Sequence, residues 1–403
     1  MARTASRVDV AGLLRPYQAG FEAVLADAGY APLSAANQVR LMRHLSIWLG
    51  ARGLQAADLT PAVVQEYLAS RRADGYTCWL SLRGLAPLLA YLRGLGVAPA
   101  LVVAVSTGPL DVVMRRYRRY LVTERGLAPA TVRYHLAHAG VFLAGWVDAG
   151  GSRLGEISAA KVSAFVVEQC AHRGVGSAKT LVTVLRSLLR FLLLEGLVTV
   201  DLSGAVPAVA GWRGGYLPKA IGPVQVTALL ATCDRRRVAA RRDRAVLLLL
   251  VRLGLRAGEV AGLQMEDLDW RRGELRVRGK GRRDERLPLP VDVGEAVVDY
   301  LRHDRPPVAG RALFINVRVP YSPMTAGAVQ AVVIAAAGRA GIEAVSAHRL
   351  RHTAATQMLR AQAGLAEVGQ VLRHRSACTT AIYAKVDRDR LGELALAWPQ
   401  VNR

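Results

Sequence analysis

His374-Arg375-Ser376-Ala377-Cys378-Thr379-Thr380-Ala381-Ile382-Tyr383-Ala384-Lys385 is the stretch on which the reading of this chain turns. It sets a tyrosine nine residues beyond a histidine. Its Ser and Thr residues are the types that start helices by capping free backbone N–H groups. Taken alone it is ordinary, because tyrosines are common on the buried faces of amphipathic helices. Its weight comes from the basic residues that precede it at particular spacings.

The chain has 403 residues, room for two or three domains with cores of their own. Hydrophobic residues make up 52% and aromatic residues only 6%, which predicts an Ala/Leu/Val-rich, mostly helical protein. The apolar run Ala245 to Val251 is far below the roughly 20 residues of a bilayer span. Residues Met1 to Arg7 lack the apolar core of a secretory signal. A cytoplasmic protein with no membrane partner is the expectation. Four cysteines, Cys78, Cys170, Cys233 and Cys378, are scattered without the spacing of a zinc site, and read as small buried apolar residues.

The net charge of +23 and a pI near 10.8 point to a polyanionic partner, since such a field speeds association with phosphate backbones. A membrane surface or a ribosome would answer the charge too. The basic residues run along the whole chain, however, which favours a protein that wraps its partner. Only Lys161, Lys179, Lys219, Lys280 and Lys385 are lysines among the 54 basic residues.

Residues 1–200 read as helices, and they repeat. Leu45-x-x-Trp48 matches Leu143-x-x-Trp146, and Asp58-Leu59-Thr60 matches Glu156-Ile157-Ser158. Tyr67 matches Phe165, and Leu88-Leu89-x-Tyr91-Leu92 matches Leu188-Leu189-x-Phe191-Leu192. The expectation is two copies of a small helical bundle, residues 1–104 and 105–200, holding duplex DNA through backbone contacts. Arg115-Arg116-x-Arg118-Arg119, with Tyr117 and Tyr120 interleaved, is the densest basic cluster. A Gly- and Pro-rich linker follows, residues 201–216, before a third domain, residues 217–403.

In that domain a strongly apolar helix, Arg241 to Leu253, runs into Gly254-Leu255-Arg256-Ala257-Gly258-Glu259. A charge placed there is costly unless paired or liganded. Either Arg256 and Glu259 pair with each other, or Glu259 braces Arg256 while its guanidinium binds an anion. Glu274 to Arg278 and Arg286 to Pro290 then alternate in character and predict a β-hairpin with Lys280 near its turn. A lysine in so arginine-rich a chain suits a group that must give up a proton, which a guanidinium does not do. His348-Arg349-Leu350-Arg351-His352-Thr353 puts His348 and Arg351 on one helix face.

In this order, with 23 residues from Arg351 to His374, these motifs resemble the tyrosine recombinases, also called the phage integrase family. The resemblance covers residues 217 to the C-terminus, and residues 105–200 look like that family's helical core-binding domain. It implies a mainly α protein with a small β-sheet in the catalytic domain, its helical DNA-binding and catalytic domains forming a clamp on DNA. It further implies a site-specific DNA recombinase of integrase or transposase type, working through a 3′-phosphotyrosyl intermediate without metal or nucleotide.

Carried over, Tyr383 is the nucleophile, while Arg256 and Arg351 clamp the non-bridging oxygens. Lys280 protonates the leaving 5′-oxygen. His348 assists proton transfer at the tyrosine, and His374 hydrogen-bonds a phosphate oxygen. The partners implied are double-stranded DNA with inverted-repeat core sites and three further copies of the chain, a dimer of dimers, or related recombinases. The residues after the tyrosine, Leu391 to Trp398, dock on a neighbouring copy or on the chain itself. Arg373 stands where the family usually has glycine, a departure that either perturbs the turn or adds a phosphate contact. A type IB topoisomerase shares the chemistry, and a non-catalytic DNA-binding accessory protein is the remaining alternative.

Overall fold

Proline at the first helical position suits a helix start, where its missing N–H costs nothing. Pro32, Pro61, Pro109, Pro129 and Pro223 each open a helix in the computed structural model. The structure describes residues 9–100, 108–148, 151–210, 220–234, 237–279, 284–343, 345–374, 377–380 and 383. They divide into two compact units, residues 102–213 and residues 1–101 with 214–403. Among the described residues, no helix is long and apolar enough to cross a membrane.

The N-terminal segment contains α1 (Gln18–Asp27), α2 (Pro32–Ala51), a 3-10 turn (Ala56–Asp58), α3 (Pro61–Ala73) and α4 (Leu82–Gly94). They enclose Phe21, Met42, Leu45, Tyr67, Leu88 and Leu92. The unit of residues 102–213 repeats that order. Its elements are α5 (Pro109–Thr123), α6 (Pro129–Leu143), the two-residue strands β1 (Val147–Asp148) and β2 (Gly151–Ser152), a 3-10 turn (Leu154–Glu156), α7 (Ala159–Cys170) and α8 (Val175–Leu194).

Residues in corresponding positions do the same work in the two bundles. Thr60 Oγ1 accepts from the Val63 N–H at 3.3 Å to cap α3, and Ser158 Oγ accepts from the Lys161 N–H at 3.4 Å to cap α7. Tyr67 and Phe165, which also correspond, each meet an aromatic ring of the preceding helical segment edge-on, Trp48 at 5.4 Å and Phe142 at 4.9 Å, although Trp48 and Phe142 are not themselves equivalent positions.

The bundles differ between their last two helices. Residues 74–81 are non-helical, and the guanidiniums of Arg71 and Arg72 donate to the carbonyls of Cys78 (3.3 Å) and Leu80 (2.9 Å). Cys78 is therefore exposed, contrary to its reading as buried, and Cys170 and Cys233 are half-buried. In α5, Arg115, Arg118 and Arg119 are exposed, whereas Tyr117 and Tyr120 belong to the core. Tyr117 Oη lies 3.1 Å from His135 Nδ1 and 3.2 Å from Ser187 Oγ. Leu202 and Val206, beyond α8, still pack into this core.

The described residues beyond 214 are built around α10 (Ala240–Arg252), whose Ala245–Val251 run is buried. Before it comes α9 (Pro223–Ala231), and after it α11 (Ala257–Gly262). An antiparallel sheet follows, β3 (Leu268–Asp269), β4 (Glu274–Arg278) and β5 (Asp284–Pro288), in that spatial order. The alternation read in the sequence is realised there: Leu275 and Val277 face the core, and Leu275 pairs across from Leu287. The turn of this hairpin, with Lys280, lies outside the described residues. Then come α12 (Val291–His303), α13 (Ala326–Arg339), α14 (Ala347–Arg360), α15 (Leu365–Val371) and the short α16 (Ala377–Thr380). α12, α13 and α14 all pack on α10. A small separate cluster, Ala355, Leu359, Val368, Leu372 and Tyr383, lies at the end of the chain's order.

Candidate active site

The buried α10 ends at a turn that only glycine suits. Gly254 has φ +58°, and a Cβ there would fall 2.5 Å from the Leu372 side chain. Its carbonyl accepts from Arg351 Nη1 at 2.5 Å, while Arg351 Nη2 donates to the carbonyl of Leu372. Arg351 projects from α14, which Ser346 caps by accepting from the Arg349 N–H at 3.1 Å. Two backbone carbonyls from two separate segments thus fix one buried guanidinium. Burial, then the neighbouring Arg256, lowers its pKa to about 10, which leaves it charged at neutral pH.

Arg256 precedes α11, and Glu259 satisfies it twice. Glu259 Oε2 accepts from the Arg256 backbone N–H at 2.8 Å, and Oε1 accepts from Arg256 Nη1 at 2.6 Å. The Arg256 side chain remains 46% exposed, although its Glu259 partner is buried. The first reading of this pair is what the structure shows: Arg256 and Glu259 pair with each other.

Arg373 completes the buried cluster. Its φ of +55° keeps the left-handed turn that a glycine would favour, and its N–H donates to the Gln370 carbonyl at 2.9 Å. The side chain turns inward, and Nη2 donates to Glu259 Oε2 at 2.6 Å. Burial alone would push the Glu259 carboxyl up, but Arg373 and then Arg256 hold it below the usual carboxylate range. The turn is therefore preserved, and the guanidinium braces Glu259.

His374 follows this turn. Its Nδ1 lies 2.8 Å from Thr380 Oγ1 on α16, and its ring stacks on that of Tyr383 at 6.2 Å and 3°. Burial, then Arg351 and Arg256, lowers its pKa to about 4, so the ring is neutral at neutral pH. Tyr383 is only 1% exposed. Burial raises its pKa, with Arg351 opposing, so the phenol is protonated at rest.

The structure thus places Arg256, Arg351, His374 and Tyr383 around one locus. His348 belongs to the same locus but does not meet the tyrosine. Tyr383 Oη lies 2.8 Å from Nδ1 of His352, and His352 Nε2 lies 3.1 Å from His348 Nε2. His352, one turn along α14, was visible in the sequence as the i, i+4 partner of His348. Thr380 read only as helix-start chemistry, and it anchors His374 instead. Lys280 and Leu391 to Trp398 lie outside the described residues.

Comparison with known proteins agrees with this geometry. Residues 219–390 match the phage integrase family. The chain is 38% identical to a candidate integrase/recombinase, y4rA, of Sinorhizobium fredii, over 93% of this chain and 92% of that one. It is 32% identical to the tyrosine recombinase XerC of Shewanella amazonensis, over 70% of this chain and 93% of that one. Among solved structures, the XerH site-specific recombinase bound to a palindromic difH substrate superposes with a TM-score of 0.56 at 19% identity, covering 72% of this chain and 97% of that one. A lambda integrase tetramer bound to a Holliday junction superposes with a TM-score of 0.54 at 17% identity, covering 79% and 88%. Its sequence relatives and its mainly helical fold with a small three-stranded antiparallel sheet after α11 agree: the chain belongs to the phage integrase family and is a tyrosine recombinase, an enzyme that breaks and rejoins DNA strands.

Proposed function

We propose that Tyr383 attacks a DNA phosphate, joining the 3′ end to the protein and freeing a 5′-hydroxyl. The observation that carries this is the fixed guanidinium pair beside a buried tyrosine. Arg351 is held by the Gly254 and Leu372 carbonyls, and Arg256 is held by Glu259. Both cations are in place before a phosphate arrives, so little reorganisation is needed as charge develops on its oxygens. His374 contributes a neutral ring to the same phosphate, and Lys280 supplies the proton that the 5′-oxygen takes as it leaves.

The substrate is double-stranded DNA carrying inverted core sites, bound by four copies of the chain as a dimer of dimers. The lambda integrase tetramer on a Holliday junction and the XerH complex with a palindromic site support this reading. The work is integration or transposition of a mobile element, in the cytoplasm and, when DNA-bound, at the nucleoid. Residues 105–200 form the core-binding bundle and residues 217–403 the catalytic domain. Residues 1–104 form a second DNA-binding bundle, a role supported by the shared helix order and by the matching caps at Thr60 and Ser158.

The test uses nicked duplexes cut from the DNA that flanks the gene. Wild-type protein traps as a covalent adduct on the cognate duplex. Tyr383→Phe binds the same duplex with unchanged affinity and forms none. An adduct that survives in Tyr383→Phe removes the assignment.

A further inference from the structure

The group in contact with the Tyr383 hydroxyl is His352, and the contact continues to a second ring. Tyr383 Oη to His352 Nδ1 is 2.8 Å, and His352 Nε2 to His348 Nε2 is 3.1 Å. The two histidine rings lie edge to face, 4.4 Å apart at 74°. Burial falls along the series: Tyr383 is buried, His352 is half-buried and His348 is exposed. Rings four residues apart on α14 share one helix face, so the spacing itself sets up this contact.

We propose that His352 and His348 form a two-histidine relay that takes the phenolic proton of Tyr383 out to solvent, with His352 as the immediate proton acceptor. The inference rests on the reading of Tyr383 as nucleophile. It assigns a catalytic role to His352 and moves His348 one step back from the tyrosine.

One assignment of protons satisfies both contacts. Neutral imidazole has one donor and one acceptor nitrogen. If Tyr383 donates to His352 Nδ1, then His352 carries its proton on Nε2 and donates to His348 Nε2. His348 carries its own proton on Nδ1. As the Tyr383 Oη–P bond forms and the P–O5′ bond breaks, the phenolic proton moves to His352 Nδ1. The His352 Nε2 proton moves to His348 Nε2, and the exposed His348 ring releases its Nδ1 proton to water. The leaving O5′ takes its proton separately, from Lys280. No charge accumulates on His352, which matters because burial, then the neighbouring His348 and Arg351, disfavours an imidazolium there. A single histidine at this depth would have to hold that charge, and a relay does not.

The experiment measures single-turnover adduct formation on the cognate nicked duplex, with full-length protein and saturating enzyme. His352→Ala is expected to slow adduct formation by on the order of 100-fold, the range of a lost proton acceptor, with duplex affinity unchanged. Added imidazole restores a substantial part of the rate. His348→Ala slows it less, because water replaces the outer ring. Wild-type rate in His352→Ala overturns the proposal. So does imidazole rescue in His348→Ala but not in His352→Ala, which would make His348 the direct acceptor. A fault in Tyr383 itself shows differently, as an adduct that persists in Tyr383→Phe. Should His352→Ala fail to fold, nitrogen NMR of histidine-labelled wild-type protein decides: His352 Nδ1 unprotonated and shifted by Tyr383→Phe supports the relay, and a protonated Nδ1 overturns it.

Discussion

Arg373 Nη2 stands 2.6 Å from Glu259 Oε2, with the two side chains only 3% and 5% exposed. Through that carboxylate Arg373 also reaches Arg256, which shares Glu259 from its other oxygen. The adjoining Leu372 carbonyl holds Arg351. One turn therefore ties together Arg256, Arg351 and His374. Glu259 is the hinge of the arrangement, because a buried carboxylate is stable here only between two guanidiniums.

Removing Arg373 should accordingly cost stability and rate together. Arg373→Ala leaves a buried carboxylate with one cation, a loss of about 3 kcal/mol for breaking a buried pair. Arg373→Gly loses the same pair but relieves the left-handed backbone, worth about 1 kcal/mol. Urea denaturation should rank wild type above Arg373→Gly, and Arg373→Gly above Arg373→Ala. Adduct formation should fall in both variants, with duplex affinity nearly unchanged. If Arg373→Gly cleaves at the wild-type rate, the brace has no part in placing Arg256.

Gly254 makes a second, independent prediction. Its φ is +58°, its carbonyl holds Arg351, and a Cβ would strike Leu372. Gly254→Ala combines about 1–2 kcal/mol of backbone strain with a steric push on the Leu372 side chain. Leu372 also supplies Arg351's other carbonyl, so both anchors shift. Cleavage should fall more than tenfold even at temperatures where circular dichroism shows the variant folded. Full activity in the folded variant would show that Arg351 does not depend on this turn.

Lys280 is tested through chemistry rather than position. Lys280→Arg keeps the charge but not the removable proton, since a guanidinium does not deprotonate in proteins. Adduct formation should slow by roughly 100-fold or more on an ordinary phosphodiester. A duplex with sulfur in place of the bridging 5′-oxygen has a leaving group that needs no proton, and should restore the rate. An unrescued variant excludes Lys280 as the acid.

The parts of this fold that were legible in the sequence are those set by local rules. The helical starts showed because capping is local, as at Thr60 and Ser158. The hairpin showed because β4 alternates, with Leu275 and Val277 inward. Arg256 and Glu259 showed because they lie three residues apart. What stayed hidden depends on segments distant in sequence. No spacing announces that Arg373 meets Glu259, 114 residues away. Likewise, whether His348 or His352 meets Tyr383 depends on where the chain after His374 returns to α14. The fate of Cys78 turned on two arginines binding backbone carbonyls, which hydrophobicity alone does not foretell.

The neutral histidines predict how stability depends on pH. Burial is the largest cause at both His352 and His374, followed by His348 and Arg351 for the first and by Arg351 and Arg256 for the second. Each is lowered to about 4, against 6.5 in an unfolded chain. Below 6.5 the unfolded state therefore binds protons that the folded state refuses, and stability falls as pH drops from 6.5 toward 4. Above 6.5 neither state is protonated at these rings, and the contribution is complete. Both rings keep partial contact with solvent, so screening trims the effect. Thermal unfolding between pH 7.5 and 4.5 should show a declining Tm for wild type. His374→Gln removes one of the two rings and should decline less steeply over the same range. Equal slopes in the two proteins would mean that His374 is protonated in the folded state as readily as in the unfolded chain.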